Sequence, residues 1–136
     1  MKNHIYTGMV VILLILVCFI MGCSDHDASP NIVVKSSYQL SAVDALLKDP
    51  IPITAHFDLV NTGDRDGKNV QVEVEILYKN EVVKKEVIYF GTIKAGDSKV
   101  KDEVIPVPKP SNFNKNFLDM KINLYVDGKL VNMREM

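Results

Sequence analysis

The residues of this 136-residue chain with types and spacings that could do chemistry fall into a few groups. The loop Thr62-Gly63-Asp64-Arg65-Asp66-Gly67 sets Asp64, Asp66 and then Glu73 at calcium-loop intervals. A hard cation needs several carboxylate oxygens converging on one point. Thr62 occupies the first ligand position, however, and both flanks read as strands, so turn geometry accounts for the same aspartates and glycines. A zinc centre needs three or four ligands from His, Cys, Asp or Glu. Beyond Cys23 the chain offers His26, in a polar linker, and His56, on the polar side of a strand beside Asp58. No metal or other cofactor is expected. Ser36, Ser37, Ser41, Ser98 and Ser111 read as strand starts and turns, outside a nucleophile-elbow context. Glu73 and Glu75 share a strand face, but one turned to water, where nothing raises a carboxyl pKa. No Gly-rich phosphate cradle occurs, and the expectation is a protein that is not an enzyme.

Cys23 is a different case. Met1-Lys2-Asn3-His4 leads into an apolar stretch from Ile5 to Met21, broken only by Thr7 and Gly8. That is the layout of a secretory signal. It is marginal as a spanning helix, which needs about 20 apolar residues. Ile20-Met21-Gly22-Cys23 resembles the prokaryotic lipobox, whose cysteine is lipidated and becomes the first residue of the mature protein. The resemblance implies a signal peptide over 1–22, a lipidated Cys23 with a tether over 23–31, and a domain over 32–136. The alternative is an uncleaved, single N-terminal transmembrane anchor helix. Either way the rest of the chain lies at the outer face of a cell membrane. Two or more acyl chains anchor durably where one does not. The tether Ser24–Asn31, fully extended, reaches about 25–30 Å.

Cysteine and charge follow the same division. Cys18 leaves with the signal, so a lipidated Cys23 leaves no thiol and no disulfide, and the domain is stabilised by its own packing. Lys2 is the only charged residue ahead of Cys23, so 15 basic and 17 acidic residues remain, a charge of −2. That balance gives no reason to expect a nucleic-acid partner.

The elements that must position these residues are strands. Ile53–Leu59, Val70–Ile76 and Leu118–Leu124 alternate apolar and polar residues, as half-buried antiparallel strands do. Their inward rows are Ile53, Ala55, Phe57 and Leu59; Val70, Val72, Val74 and Ile76; and Leu118, Met120, Ile122 and Leu124. Further strands are expected at Ile32–Leu40, at Val82–Phe90 after a turn at Lys79-Asn80, and at Val100–Val107 after Ala95-Gly96-Asp97. Pro106 and Pro108 suit a sheet edge or a strand's end. Asp127-Gly128 signals a hairpin between Val126 and Leu130. Ser41–Lys48 reads as one helical turn capped by its serine and Asp44. The fold expected is an all-β, antiparallel β-sandwich of about seven strands, preceded by the N-terminal hydrophobic signal or anchor helix.

Three segments resemble the immunoglobulin-like extracellular modules of the CARDB and FxLYD kind. They are Phe57-Asp58-Leu59-Val60-Asn61-Thr62-Gly63-Asp64, Asn69-Val70-Gln71-Val72 and Phe90-Gly91-Thr92-Ile93-Lys94-Ala95-Gly96-Asp97-Ser98. The shared pattern is a strand ending in Asn-x-Gly, a Val-rich strand, and a late Gly-x-Ile-x-Ala-Gly-x-Ser turn. Lys79 stands after Leu77-Tyr78, where the FxLYD signature itself has aspartate. The resemblance covers about Ile53 to Val107 and implies adhesion, assembly or spacing in a surface lipoprotein. Lys79, Lys84, Lys85, Lys94, Lys99 and Lys101 read as protection of sheet edges or as a contact with a partner or anionic surface. Tyr125, Leu77, Ile88 and Phe90 read as an apolar patch for a protein partner or as packing beneath a loop. The function expected is a non-catalytic interaction or structural module of the cell envelope, with an envelope protein as partner. The alternative is a small-ligand or calcium-binding surface lipoprotein.

Overall fold

A computed structural model describes residues 29–135. Seven strands run in chain order: β1 (Ile32–Leu40), β2 (Ile51–Asn61), β3 (Gly67–Tyr78), β4 (Glu81–Ile93), β5 (Ser98–Val107), β6 (Leu118–Val126) and β7 (Lys129–Glu135). One helix, α1 (Ala42–Leu47), joins β1 to β2, and a 3-10 turn, Lys115–Phe117, leads into β6. Three strands form one sheet in the order β1-β2-β5, and four form the other in the order β4-β3-β6-β7. Every paired neighbour is antiparallel. The signal or anchor segment, Cys18, Cys23 and His26 lie outside the described residues. Among the described residues no helix is long and apolar enough to cross a membrane.

Alternation decides which way each strand faces. All the inward rows expected from sequence are buried, and they meet in one cluster between the sheets. Ile88 and Phe90 belong to that cluster, so they form neither a surface patch nor packing beneath a loop. Phe57 of β2 meets Phe90 of β4 edge to face across the two layers, with ring centroids 6.4 Å apart. Proline falls where the ladder tolerates it. Pro106 lies on β5, an edge strand, opposite Pro52 of β2. The β1–β2 pairing ends at Leu40 and Ile53, so Pro52 has no β1 residue waiting for its missing N–H.

Turn chemistry closes the connections. Lys79 and Asn80 have φ of 53° and 67°, and Asp127 and Gly128 have 51° and 75°. Positive φ at both central residues is what a two-residue type I′ hairpin requires. Between β4 and β5, Asp97 N–H donates to the Lys94 carbonyl at 3.0 Å, with Gly96 at φ 79°. Positive φ at the third residue is the mark of a type II turn.

Strand direction sorts the connections to two ends. The start of β1, the β2–β3 loop, the β4–β5 turn and the β6–β7 turn share one end. Helix α1, the β3–β4 turn and the segment 108–117 share the other. The chain enters at the first end, and nine residues of β1 carry it about 30 Å to the second.

Candidate functional site

The end where the chain enters is built around one buried polar side chain. Asn61 continues the inward row of β2 after Leu59 and is fully buried. A buried amide needs all its partners, and this one has them. Its Oδ1 accepts from Asn31 N–H at 3.2 Å and from Gly63 N–H at 3.1 Å. Its Nδ2 donates to the carbonyls of Arg65 at 2.7 Å and Ile93 at 3.1 Å. Its own backbone N–H and carbonyl bond to Asp97 and Gly96, each at 2.9 Å. One residue thus ties the incoming chain, the β2–β3 loop and the β4–β5 turn together.

The incoming residues are fastened further. Thr62 N–H donates to the Asn31 carbonyl at 2.8 Å, and Asn31 Nδ2 donates to Thr62 Oγ1 at 2.9 Å. Ser29 N–H donates to Asp64 Oδ1 at 3.1 Å. Gly63 allows this approach, because a Cβ there would lie 2.3 Å from the Ser29 carbonyl oxygen and 2.6 Å from Asn31 N. Ser29 and Asn31, which the sequence reading assigns to a tether, are therefore fastened to the domain.

The calcium-loop residues are not brought together. Asp64 accepts from Ser29, while Asp66 Oδ1 accepts from Ala95 N–H at 3.0 Å. Glu73 lies well inside β3, where its Oε1 accepts from Asn123 Nδ2 at 3.0 Å. Among the described residues no group of three or more His, Cys, Asp or Glu is placed to hold a metal ion. Glu73 and Glu75 are half-buried rather than free in water, with Glu75 ion-paired to Lys85. That hydrogen bond, and then the charge of Glu75, hold the Lys85 ammonium above the ordinary lysine value.

On the outer face of the three-stranded sheet, register assembles a row that spacing in the sequence conceals. Ser37 lies opposite His56, and His56 lies opposite Asp102. His56 Nδ1 stands 2.5 Å from Asp102 Oδ1, so its partner comes from β5 and is not Asp58. A carboxylate only accepts, which makes Nδ1 the protonated nitrogen. Serine, imidazole and carboxylate side by side have the composition of an acyl-transfer triad. The setting differs in two respects. Ser36 and Ser37 sit in the middle of β1, not at a strand start or in a strained elbow. The amides of β2 are committed to ladders on both sides, so this strand supplies no oxyanion donors. The row is suited to polar contact: a hydroxyl, an imidazole and a carboxylate on an open face.

Of Lys79, Lys84, Lys85, Lys94, Lys99 and Lys101, four lie on the two sheet edges that face one another, while Lys79 and Lys94 lie in turns. Lys84 and Lys85 lie on β4, and Lys99 and Lys101 lie on β5. Lys99 Nζ donates to the Phe90 carbonyl at 2.6 Å, linking the two sheets, while Lys84 pairs with Glu86 at 3.1 Å and Lys101 with Glu103 at 3.4 Å. Lys79, in the β3–β4 turn, rests over the rings of Tyr78 and Phe117 at 5.6 and 5.5 Å. Leu77 and Tyr125 are half-buried on the outer face of the four-stranded sheet.

No family model matches the chain, and no curated protein does. Solved structures share the fold. A Bordetella pertussis protein named as ApaA superposes with a TM-score of 0.52 at 12% identity, over 79% of this chain and 91% of its own. The Arabidopsis thaliana protein AT1g01470 does so with a TM-score of 0.50 at 18% identity, over 85% of this chain and 87% of its own. At these identities the likeness concerns the fold alone.

Proposed function

We propose that the chain is an extracytoplasmic lipoprotein held at the outer face of a membrane by a lipid on Cys23. Its sandwich acts as a non-catalytic interaction or structural module of the cell envelope. The observation that carries this reading is the Asn61 clamp. A domain pulled on through its first residues needs those residues fixed to its body, and Ser29, Asn31, Thr62 and Asn61 do that. The open, solvated setting of the Ser37–His56–Asp102 row supports contact over catalysis.

Strand order supports an immunoglobulin-like module of the CARDB or FxLYD kind. The order β1-β2-β5 against β4-β3-β6-β7 corresponds to strands A-B-E against C′-C-F-G. The Asn-x-Gly and Ala-Gly-Asp residues that carried the resemblance meet in the clamp. Cys23→Ser tests the anchor. The variant is expected to leave the detergent phase for the aqueous phase, or to accumulate as unprocessed precursor. Unchanged mass and unchanged partitioning would leave a plain membrane anchor instead.

A further inference from the structure

Helix α1 carries aliphatic side chains that the sandwich leaves in water. Val43, Leu46 and Leu47, one helical face at i, i+3 and i+4, are 61, 76 and 79% exposed. Ala45, on the opposite side, is buried. A six-residue helix does not hold its shape alone. This one is held by Ser41 Oγ, which accepts from Asp44 N–H at 3.3 Å, and by the Asp44–Lys48 pair at 2.9 Å. Lys109 Nζ completes it by donating to the Leu46 carbonyl at 2.8 Å. The apolar knob is therefore presented in a fixed pose.

Its composition and position favour a lipid surface. Protein hot spots are enriched in Trp, Tyr and Arg and poor in Leu and Val, and lysine is depleted at protein interfaces. Here two leucines and a valine are flanked by Lys48 and Lys109, with no aromatic residue or arginine on the helix. In a bilayer, aliphatic tips enter the acyl boundary while lysine stems lift their ammonium groups into the headgroup layer. Three side chains also fall well short of the roughly 800 Å² per partner of a stable interface between copies. Reach identifies which membrane. The chain outside the described residues ends at the opposite end of β1, about 30 Å from α1. The six residue steps from Cys23 to Ser29 can reach at most about 20 Å. A sandwich on its side, about 10 Å from sheet to sheet plus side chains, brings both ends to one surface within that reach.

We infer that α1 seats Val43, Leu46 and Leu47 in the outer leaflet of the membrane that holds the N-terminus, so that the domain lies along the bilayer. This rests on the anchoring proposed above. The chain has no tryptophan, so Leu47→Trp is a sole reporter. The full chain carrying it is reconstituted into vesicles and floated. Its emission is expected to shift to the blue and to be quenched by brominated acyl chains in the host vesicle. Adding Val43→Ser and Leu46→Ser should restore water-like emission with no change in melting temperature. Water-like emission from a chain that floats with its host would overturn the inference and leave the anchor standing. Quenching only by bromolipid in added acceptor vesicles would overturn it too, as would a blue shift that requires envelope proteins. A chain that fails to float refutes anchor and knob together.

Discussion

Asn61 uses every hydrogen-bonding group it has, and its four side-chain partners are backbone groups from three separate places in the chain: the incoming segment, the β2–β3 loop and the end of β4. Replacing it with alanine strands two carbonyls and two amides at a buried site. At about 1 kcal/mol for each of the four bonds, Asn61→Ala is expected to lower unfolding free energy by about 4 kcal/mol in a denaturant titration. Asn61→Asp should be no milder at neutral pH. It keeps the acceptors for Asn31 and Gly63 but turns a carboxylate oxygen toward the carbonyls of Arg65 and Ile93. A loss under 1 kcal/mol in either variant would contradict the clamp. The sequence held a signal for this site. Alternation along β2 puts residue 61 on the inward side, and a buried asparagine must find partners. Which partners it finds was not legible, because Asn31 and Ile93 are 30 and 32 residues away. The same limit hid Asp102 from His56, at a separation of 46 residues.

Elements with strong local signals are legible in the sequence. Both two-residue hairpins announce themselves as Lys79-Asn80 and Asp127-Gly128, and β1 appears with the bounds expected of it. At Gly128 an added Cβ meets nothing within 4 Å, so the constraint there is backbone conformation alone. Gly128→Ala is accordingly expected to cost about 1 kcal/mol by thermal or chemical melting, through left-handed strain. Gly63→Ala should cost more, since its Cβ would strike the incoming backbone. Equal costs at the two sites would refute that distinction. Strand β4 was legible only in part, running to Ile93 rather than Phe90, with register shifts that interrupt its period. Near its end Gly91 takes φ 70°. Sheet membership was not legible at all. Alternation tells which side of a strand is buried but not which strand lies beside it, so the passage from β4 in one sheet to β5 in the other appears only in the fold.

At the scale of the whole molecule the sandwich is polarised. One end receives the chain and locks it through Asn61, and the other carries α1 and its exposed leucines. Both broad outer faces lie between, one of them bearing the Ser37–His56–Asp102 row. The arrangement suits the membrane anchoring proposed above, which rests on chemistry at the sulfur of Cys23. The most direct test is the intact mass of the chain purified from membranes in detergent. Anchoring through Cys23 predicts a protein that has lost residues 1–22 and gained the mass of a diacylglyceryl group on Cys23, with or without a further acyl chain. A mass corresponding to the unmodified sequence from Met1, or to a chain cleaved elsewhere and free of lipid, would contradict it.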